Sequence, residues 1–492
     1  MTRKTLMMRT PNPIELALIL ALAGCAAGPD YHRPQIPAPD DWRAWRSGAD
    51  ALAVPVVESG LETDWWKPFG DPLLDRLVER ARAASPDVRT AALRFAQSRA
   101  QRSTVAAQRG VQVDAVGSLD RQRQSEHAVS TRLIDVLSPA RHDELVGVLS
   151  EPVTVYQAGF DASWEADLWG RVARQLEAAD ARIAGSRAEL QQVTLSVTAE
   201  VVRNYVELRA AQQQLRLGRA RVAAAGEALQ LAQARVAGGL DDSGVAERRR
   251  AQLADAEAAL PPWLAREAQA INQLTLLLGE RPGALRTELA DNGRGPGDWP
   301  RPDLALGVPS ALLQRRPDIG AAEARLQAAV AEVGVAVADL YPRLTIGARF
   351  GLDSYQAGQF GDWGSREWSI GPSLTLPLFD QGRRRSTITL RKLEQQEAAV
   401  AYQQSVLGAW HDVDRALARY AAEQQRRVQL ARTEAARRDE LTLAQARQTG
   451  GMTDFLTVLD ARCAQLQAQG ARADSEAQLL LDLVAVYKSV GV

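Results

Sequence analysis

The side chains that usually carry enzyme chemistry are few and scattered in this chain of 492 residues. The histidines are His32, His127, His142 and His411, and the cysteines are Cys25 and Cys463. None of them falls at the spacing of a metal site or a catalytic triad, and no phosphate-binding loop is readable. The sequence therefore predicts a protein that is not an enzyme and that holds no cofactor and no metal.

Cys25 stands where a covalent modification is expected. Three basic residues within the first nine precede a short apolar run at 14–22, and Leu-Ala-Gly-Cys follows at 22–25. The run is typical of a secretory signal peptide and is too short for a transmembrane helix. Its ending resembles a bacterial lipobox, which implies cleavage after residue 24 and acylation of Cys25, as in palmitate-bearing lipoproteins. An ordinary signal peptide with an incidental cysteine is the alternative.

Bulk charge and hydropathy narrow the class of protein further. The formal net charge is -1, so no overall basic character points to a nucleic-acid partner. After the signal peptide no stretch approaches the roughly 18 consecutive apolar residues of a membrane-spanning helix. If this protein crosses a membrane, it has to do so with strands.

The chain contains one unit twice. The letters LAQARVAGG at 231–239 return as LAQARQTGG at 443–451, an offset of 212. An earlier match, SPDVRTAALRFA from Ser85 against RPDIGAAEARLQ from Arg316, has an offset of 231. Since the offsets differ by 19, the first copy holds extra residues, which we place in the polar stretch 125–150. The predicted domains are a signal peptide (1–24), a lipid-anchored extended segment (25–70), a first repeat (71–305) and a second repeat (306–492).

Two segments in each repeat alternate apolar and polar residues. In one of them Tyr156, Phe160 and Trp164 share a face, and Asp161 and Glu165 lie on the other. This period predicts strands with one apolar and one polar face. The predicted strand segments are 111–124, 152–169, 343–353 and 366–379. A soluble sheet would show the same pattern, but few apolar helices are left to cover it and aromatic residues lie towards the strand ends, which favours a membrane β-barrel.

Four strands are too few for such a barrel, because about eight is the smallest number that closes. An open sheet edge is not tolerated in lipid. The strand count therefore predicts that subunits pool their strands and that the protein is an oligomer.

A long stretch without proline follows each strand pair, from Gly170 to Gly238 and from Gly382 to Gly450. At about 1.5 Å per residue each would form a helix roughly 100 Å long. Apolar residues recur every seven positions, sharply in the first copy and weakly in the second, as in a coiled coil. A returning helix follows each, interrupted in the first copy at Pro261. Each glycine pair thus marks the tip of a helical hairpin.

Six sequence blocks in order along the chain carry a family likeness. They are GPDYHRP at 28–34, FGDPLLDRLVERA at 69–81, VPSALLQRRPDIGAAEARL at 308–326, LYPRLTI at 340–346, GPSLTLPLFDQGRRR at 371–385 and FLTVLDA at 455–461. These blocks resemble the outer membrane factors of tripartite efflux systems. The lipobox and the GPDY letters resemble the lipoprotein branch that serves resistance-nodulation-division pumps.

The resemblance implies a homotrimer whose fold is a membrane β-barrel plus an α-helical barrel. Three protomers would supply twelve strands to the barrel in the outer membrane and twelve helices to a coiled-coil tunnel in the periplasm. The insert at 125–150 would be an extracellular loop. The protein would be a passive efflux channel, an exit duct for drugs, toxic small molecules or metal ions, with a role in antibiotic resistance. Its partners would be outer-membrane lipid, a periplasmic adaptor protein and an inner-membrane resistance-nodulation-division transporter.

The resemblance also implies a periplasmic gate just after the second tip, at Leu456 and Asp460. In a trimer Asp460 would form a ring of three carboxylates, which narrows the pore, attracts cations and makes closure sensitive to pH. An aspartate on a solvated helix face, or bonded to a neighbouring helix, is the alternative. The family's arginine position holds Cys463 here, after Arg462, and we interpret this cysteine as a packed helix residue.

We expect the adaptor to contact both tips, although exposed polar turns are common whatever a tip does. The tip residues are Gly238, Gly239, Leu240, Asp241 and Asp242 in the first repeat, and Gly450, Gly451, Met452, Thr453 and Asp454 in the second. The run Arg248–Arg250 could pair with tip carboxylates in the trimer or face water.

Two other functions fit part of the pattern. A duct for one-step protein secretion (type I) would have the same fold and a different cargo, but the lipobox and the Arg-Arg-Pro-Asp block favour the pump-associated branch. A lipid-anchored periplasmic coiled-coil scaffold would place the strands in a soluble sheet, and the aromatic alternating strands argue against it.

Overall fold

The computed structural model describes residues 26–37, 64–300 and 315–492. The predicted signal peptide and Cys25 lie outside these residues. The strands are β1 (Gln112–Gln122), β2 (Val153–Ala166), β3 (Arg343–Ser354) and β4 (Arg366–Thr375). The helices, in chain order, are α1 (Pro72–Ala84), α2 (Pro86–Ala107), α3 (Arg132–Leu137), α4 (His142–Ser150), α5 (Arg171–Ala237), α6 (Ser243–Ala258), α7 (Leu260–Leu277), α8 (Pro317–Ala338), α9 (Arg383–Thr449) and α10 (Phe455–Val490).

The described residues divide into two compact units. The first contains the sheet and comprises the described part of 1–32 with 98–182 and 326–397. The second comprises the described parts of 33–97, 183–325 and 398–492, and it contains both hairpin tips. Each unit draws on both repeats, so the duplicated halves fold together rather than side by side.

The four strands form one antiparallel sheet in the order β1-β2-β3-β4. Its register places Phe160 opposite Phe350 and Phe350 opposite Trp368, so one aromatic row crosses three strands. The neighbouring row on the other face runs from Asp161 to Arg349. The alternation read from the sequence therefore gives two chemically distinct faces.

Within the described ranges, nothing covers the apolar face of the sheet. Phe160 is 57 % exposed and Trp368 is 70 % exposed. On the polar face Arg349 Nε lies 3.1 Å from Glu367 Oε1. Monomeric soluble proteins rarely expose so large an apolar surface, and a sheet with apolar outside and charged inside is the pattern of a barrel in lipid.

The two long helices α5 and α9 have 67 residues each. Both therefore rise by the same length along their axes. The return limbs differ, because α10 runs unbroken for 36 residues whereas α6 ends at Ala258 and α7 begins at Leu260. Pro261 and Pro262 lie in the first turn of α7, where their missing N–H groups are tolerated.

The predicted coiled-coil residues are buried in the first repeat and exposed in the second. Val201 and Leu208 of α5 are fully buried, as a seam requires. Leu393, Val400 and Leu407 of α9 remain more than half exposed. The weaker heptad thus leaves an apolar stripe that is available to another subunit.

The insert at 125–150 contains more structure than the loop that we predict from its lack of alternation. It forms α3 and α4, and Val146 of α4 is buried. Apolar residues spaced for a short helix carry no period-2 signal, which explains why the strand pattern does not reveal them.

An aromatic cluster fixes the start of the first repeat in the second unit. Trp65 stacks on Tyr487 with ring centroids 5.0 Å apart, and Trp299 stacks on Phe69 and Tyr205.

Among the residues that the structure describes, no helix is both long enough and apolar enough to cross a membrane.

Candidate functional site

The first hairpin tip reverses the chain at a left-handed glycine. Gly239 has φ 70°, a conformation that residues with a Cβ seldom adopt. Its amide donates to Val236 O at 3.0 Å, and the amide of Leu240 donates to Arg235 O at 2.8 Å. These two bonds form a Schellman motif, which satisfies the carbonyls at the end of α5 and ends the helix.

The second tip repeats this turn at the equivalent positions. Gly451 also has φ 70°, its amide donates to Gln448 O at 3.0 Å, and the amide of Met452 donates to Arg447 O at 2.8 Å. Only the second glycine of each pair takes the left-handed conformation. Gly238 and Gly450 are exposed at the helix ends.

Each return helix begins at an aspartate N-cap. Asp242 accepts a hydrogen bond from the amide of Gly244 at 2.6 Å. Asp454 accepts from the amide of Thr457 at 3.1 Å and from its hydroxyl at 2.8 Å. A cap of this kind satisfies the free amides of the first turn.

The two tips differ in their charges. In the first tip Arg235 Nε lies 2.7 Å from Asp241 Oδ2. The equivalent residues of the second tip are Arg447 and Thr453, so the acidic partner is replaced by a hydroxyl residue. Arg235 Nη1 also lies 3.3 Å from Asp454 Oδ2 and joins the two tips of the same chain.

These contacts tune the ionisation of Asp454. Burial works against the charged form, but hydrogen bonds from Thr457 and the positive charges of Arg235 and Arg249 outweigh it and lower the pKa of Asp454. The carboxylate at the second cap is therefore held in its charged form.

Two apolar side chains stand out from these polar turns. Leu240 and Met452 occupy equivalent positions, and both are nearly three-quarters exposed. Exposed apolar side chains in a polar turn offer contact points to a protein partner.

Asp460 forms a two-point ion pair with Arg249 of the neighbouring helix α6. Arg249 Nη2 donates to Asp460 Oδ2 at 2.8 Å, and Nη1 donates to Oδ1. The side chain of Arg249 is 15 % exposed and that of Asp460 is 53 % exposed. A bidentate contact of this kind fixes the geometry of the two groups as well as their charge.

Leu456 lies one turn before Asp460 and is buried. It packs with Ala228, Leu459 and the partly buried Leu231. The apolar member of the predicted gate thus joins α10 to α5, while the acidic member joins α10 to α6. This arrangement holds the start of α10 against both arms of the first hairpin.

A groove of about 370 Å³ opens between α9 and α10 next to the second tip. It is lined by Glu440, Leu443, Ala444, Arg447, Thr453, Thr457, Asp460, Ala461 and Ala464. Its walls are apolar at Leu443 and carry the charges of Glu440, Arg447 and Asp460. Asp460 therefore borders this groove while it binds Arg249.

Arg235 and Arg249 are the site residues that sequence reasoning did not assign. Arg249 belongs to the basic run 248–250, but its contact is with Asp460 and not with a tip residue. The repeat places Arg249 one position from the equivalent of Asp460, but this spacing does not say which side chains of the two helices face each other.

Only one of the two cysteines can be placed relative to this site. Cys25 lies outside the described residues, and Cys463 is half-buried on α10. Burial and the nearby charge of Asp460 raise the pKa of the Cys463 thiol, which disfavours the reactive thiolate. In the part of the chain that the structure describes, no group of three or more His, Cys, Asp or Glu side chains is placed to hold a metal ion.

Comparison with known proteins gives the same likeness over nearly the whole chain. The model of the outer membrane efflux protein family matches residues 77–280 and 308–492. The outer membrane protein OprJ of Pseudomonas aeruginosa is 31 % identical over 482 residues, which cover 97 % of this chain and 94 % of that protein. The pyoverdine export outer membrane protein OpmQ of Pseudomonas putida is 34 % identical over 480 residues, 97 % of this chain and 96 % of that protein.

Among solved structures, the outer-membrane channel OprN superposes on this chain with a TM-score of 0.81 and 34 % identity. The match covers 95 % of this chain and 99 % of that channel. The similarity in structure therefore extends over nearly the whole chain.

Proposed function

Because the chain belongs to the outer membrane efflux protein family, we propose that Leu456 and Asp460 close its periplasmic end, that its hairpin tips receive an adaptor protein, and that Cys25 carries its lipid. The general function follows from membership of the family. The protein is an outer-membrane efflux channel of a tripartite pump, and it is a duct and not an enzyme. It works as a trimer with an adaptor and an inner-membrane transporter, and it combines a β-barrel in the outer membrane with a helical barrel that extends into the periplasm.

The uncovered apolar face of the sheet is the observation that carries this function. Among the strands that the structure describes, β1 and β4 each pair on one side only. Lipid covers the aromatic row that water would not tolerate, but it cannot satisfy the backbone groups of a sheet edge. Edges of neighbouring copies have to pair, and a pore lined by the polar face results.

The gate proposal rests on the way α10 is tied to the first hairpin. The Arg249–Asp460 ion pair and the Leu456 contacts both lie within the first two turns of α10. We propose that these contacts hold the periplasmic end closed and that opening breaks the ion pair. Asp460 then acts as half of a latch, and its charge is compensated by Arg249 in the closed state.

The adaptor proposal rests on the exposed tip residues. Leu240 and Met452 provide apolar contacts, and Asp241, Asp242, Thr453 and Asp454 surround them with polar groups. The glycines Gly238, Gly239, Gly450 and Gly451 leave the backbone accessible at the turns. An adaptor that binds here meets a small apolar centre with a polar rim, the usual arrangement of a protein interface.

Three finer features follow from the resemblance stated above. We propose that the inner-membrane partner is a resistance-nodulation-division transporter, and that outer-membrane lipid surrounds both the barrel and the acyl chains on Cys25. We propose drugs, toxic small molecules or metal ions as cargo, with antibiotic resistance as one result of export.

Conductance of the purified full-length trimer in a planar lipid bilayer tests the duct. We expect single-channel current steps from the wild type and from Leu393→Met, which keeps the exposed stripe of α9 apolar. Leu393→Asp places a charge on that stripe and is expected to abolish both trimer migration on gels and the current steps.

A trimer that inserts into the bilayer but conducts neither as the wild type nor as Asp460→Asn, which breaks the proposed closing ion pair, would refute the duct and favour the scaffold. The cargo is tested separately by deleting the gene. Unchanged drug and metal susceptibility together with loss of a secreted protein from the medium would favour the protein-secretion duct instead.

A further inference from the structure

We propose that residues 26–30, named here the docking segment, are held by a preformed groove of α5 and α8 at the base of β2, so that a lipid on Cys25 leaves the protein at a fixed point. This inference rests on the proposed lipidation of Cys25. All the contacts that carry it lie within the first compact unit.

Arg174 of α5 is the centre of this groove. The residue is only 5 % exposed. Its guanidinium donates to Ala27 O at 3.2 Å, to Asp30 Oδ1 at 2.7 Å and to Glu177 Oε2 at 2.7 Å. A buried arginine needs partners for its charge, and two of these three partners belong to the docking segment.

The backbone of the docking segment is bonded at the same place. The amide of Ala27 donates to Trp169 O at 2.9 Å. Trp169 is itself fixed, because its indole donates to Pro342 O at 2.9 Å and its ring stacks on Tyr341 with centroids 4.7 Å apart. Tyr341 and Pro342 directly precede β3, so the segment is held to the ends of β2 and β3.

Two glycines allow the segment to approach the helix closely. Gly28 has φ +90°, and a Cβ there would collide with the backbone of Gly334 in α8. A Cβ on Gly334 would lie 2.9 Å from Arg174 Cγ and 3.0 Å from Ala27 O. Backbone therefore packs directly on backbone, which leaves room for no other residue type at either position.

The internal duplication supplies a control within the same chain. At the repeat offset of 212, the position equivalent to Arg174 is Ser386, and that of Trp169 is Gln381. At the offset of 231 in the other helix, the position equivalent to Gly334 is Ser103, whose hydroxyl donates to Arg99 O in its own helix. The second copy of the groove thus lacks each of the residues that hold the segment. Helix packing alone does not require them.

A fixed docking segment sets the position of the anchor. Cys25 precedes Ala26 by one peptide bond, about 3.8 Å between Cα atoms. Acyl chains on Cys25 would therefore start beside the Trp169–Tyr341 pair, an aromatic pair of the kind that lies at membrane interfaces. Arg174 is a positioning residue for the anchor.

Hydrogen exchange of the full-length trimer, read by mass spectrometry on the N-terminal peptide, tests the docking. We expect the Ala27 amide to be protected. Gly28→Ala changes only the segment and leaves the helices intact, and it should accelerate exchange by about tenfold or more through loss of the bonds around Arg174. Gly334→Ser, which introduces the residue of the other repeat, should do the same.

Two controls separate docking from general strain. Gly293→Ala places a Cβ at another positive-φ glycine, φ +80°, with no atom within 4 Å, and it should leave the Ala27 amide protected. Arg102→Met removes an exposed ion pair to Asp180 in the same unit and should also leave it protected.

A third experiment asks whether the groove or the lipid holds the segment. In a Cys25→Ser variant secreted behind an ordinary signal peptide, protection of Ala27 should persist. Rapid exchange of the Ala27 amide in the wild type overturns the docking. Rapid exchange of this amide in the Cys25→Ser variant alone overturns it too, because the lipid and not the groove then holds the segment. The mass of the N-terminal peptide reports acylation independently, and an unmodified Cys25 overturns the lipidation without touching the other proposed functions.

Discussion

The latch between Arg249 and Asp460 gives a prediction whose sign separates two gate mechanisms. Asp460→Asn keeps the size of the side chain and removes its charge, and Arg249→Gln removes the other half of the pair. If the pair exists only in the closed state, either change should favour opening. If Asp460 acts instead as an uncompensated ring of three carboxylates, neutralising it relieves repulsion and should favour closure.

The size of the effect follows from the geometry of the pair. Two charge-assisted hydrogen bonds join the groups, but water reaches half of the Asp460 side chain. We therefore assign each pair about 1 kcal/mol, the upper end of the range for exposed ion pairs. That corresponds to about a fivefold shift in the ratio of open to closed states. If opening breaks the pair in all three subunits, the shifts multiply to about a hundredfold.

Open probability of the purified trimer in a planar bilayer measures this ratio directly. The double variant should be no more open than either single variant, because both remove the same contact. Exchanging the charges as Arg249→Asp with Asp460→Arg should restore most of the closure. Arg250→Gln is the matched control, since Arg250 is the neighbouring arginine and pairs with Glu247 on the same helix. An unchanged open probability in Asp460→Asn would remove Asp460 from the gate, and a lower one would favour the carboxylate ring.

Two further predictions concern the hairpin tips. Gly239→Ala places a Cβ on a residue in the left-handed conformation, with no other atom nearby, at a cost of about 1 kcal/mol. Amide exchange around the first tip should therefore rise about fivefold. Gly238→Ala is the control and should leave this exchange nearly unchanged. The lowered pKa of Asp454 means that its contribution to the second tip is present above the ordinary value of 3.8 and is lost as the pH falls through the lower pKa of the folded protein. Asp454→Asn should therefore loosen the second tip at neutral pH and remove this acid-dependent loss. Protease cleavage at the tip measures both effects. Equal acid sensitivity of the variant and the wild type would show that Asp454 is not the group responsible.

Features that depend on local periodicity were predictable from the sequence. The alternation around Phe160 fixes which face of β2 is apolar, and the spacing between Gly170 and Gly238 fixes the length of α5. Both depend only on neighbours along the chain. The sequence predicted that each glycine pair marks a hairpin tip. Only the structure shows that the second glycine of each pair, Gly239 or Gly451, is the one with a positive φ.

Features that depend on the rotation of one helix against another were not predictable. The Arg249–Asp460 pair joins residues that are 211 positions apart, and a heptad pattern does not say which exposed side chains of two helices face each other. The Arg174 contacts with Ala27 and Asp30 join a buried helix residue to a segment without regular structure, for which periodicity carries no information. Leu393, Val400 and Leu407 of α9 are more than half exposed, and the pattern of one chain carries no information on the surface of another subunit that would cover them.

The exchange of Asp241 for Thr453 has a consequence for symmetry. A trimer carries six hairpin tips, but they are of two chemical kinds, so the rim has threefold and not sixfold rotational symmetry. A ring of six identical adaptor subunits would meet three tips that contain the Arg235–Asp241 pair and three tips that lack it. Such a ring can bind all six tips only if its subunits act as three pairs, in which the two subunits of a pair make different contacts.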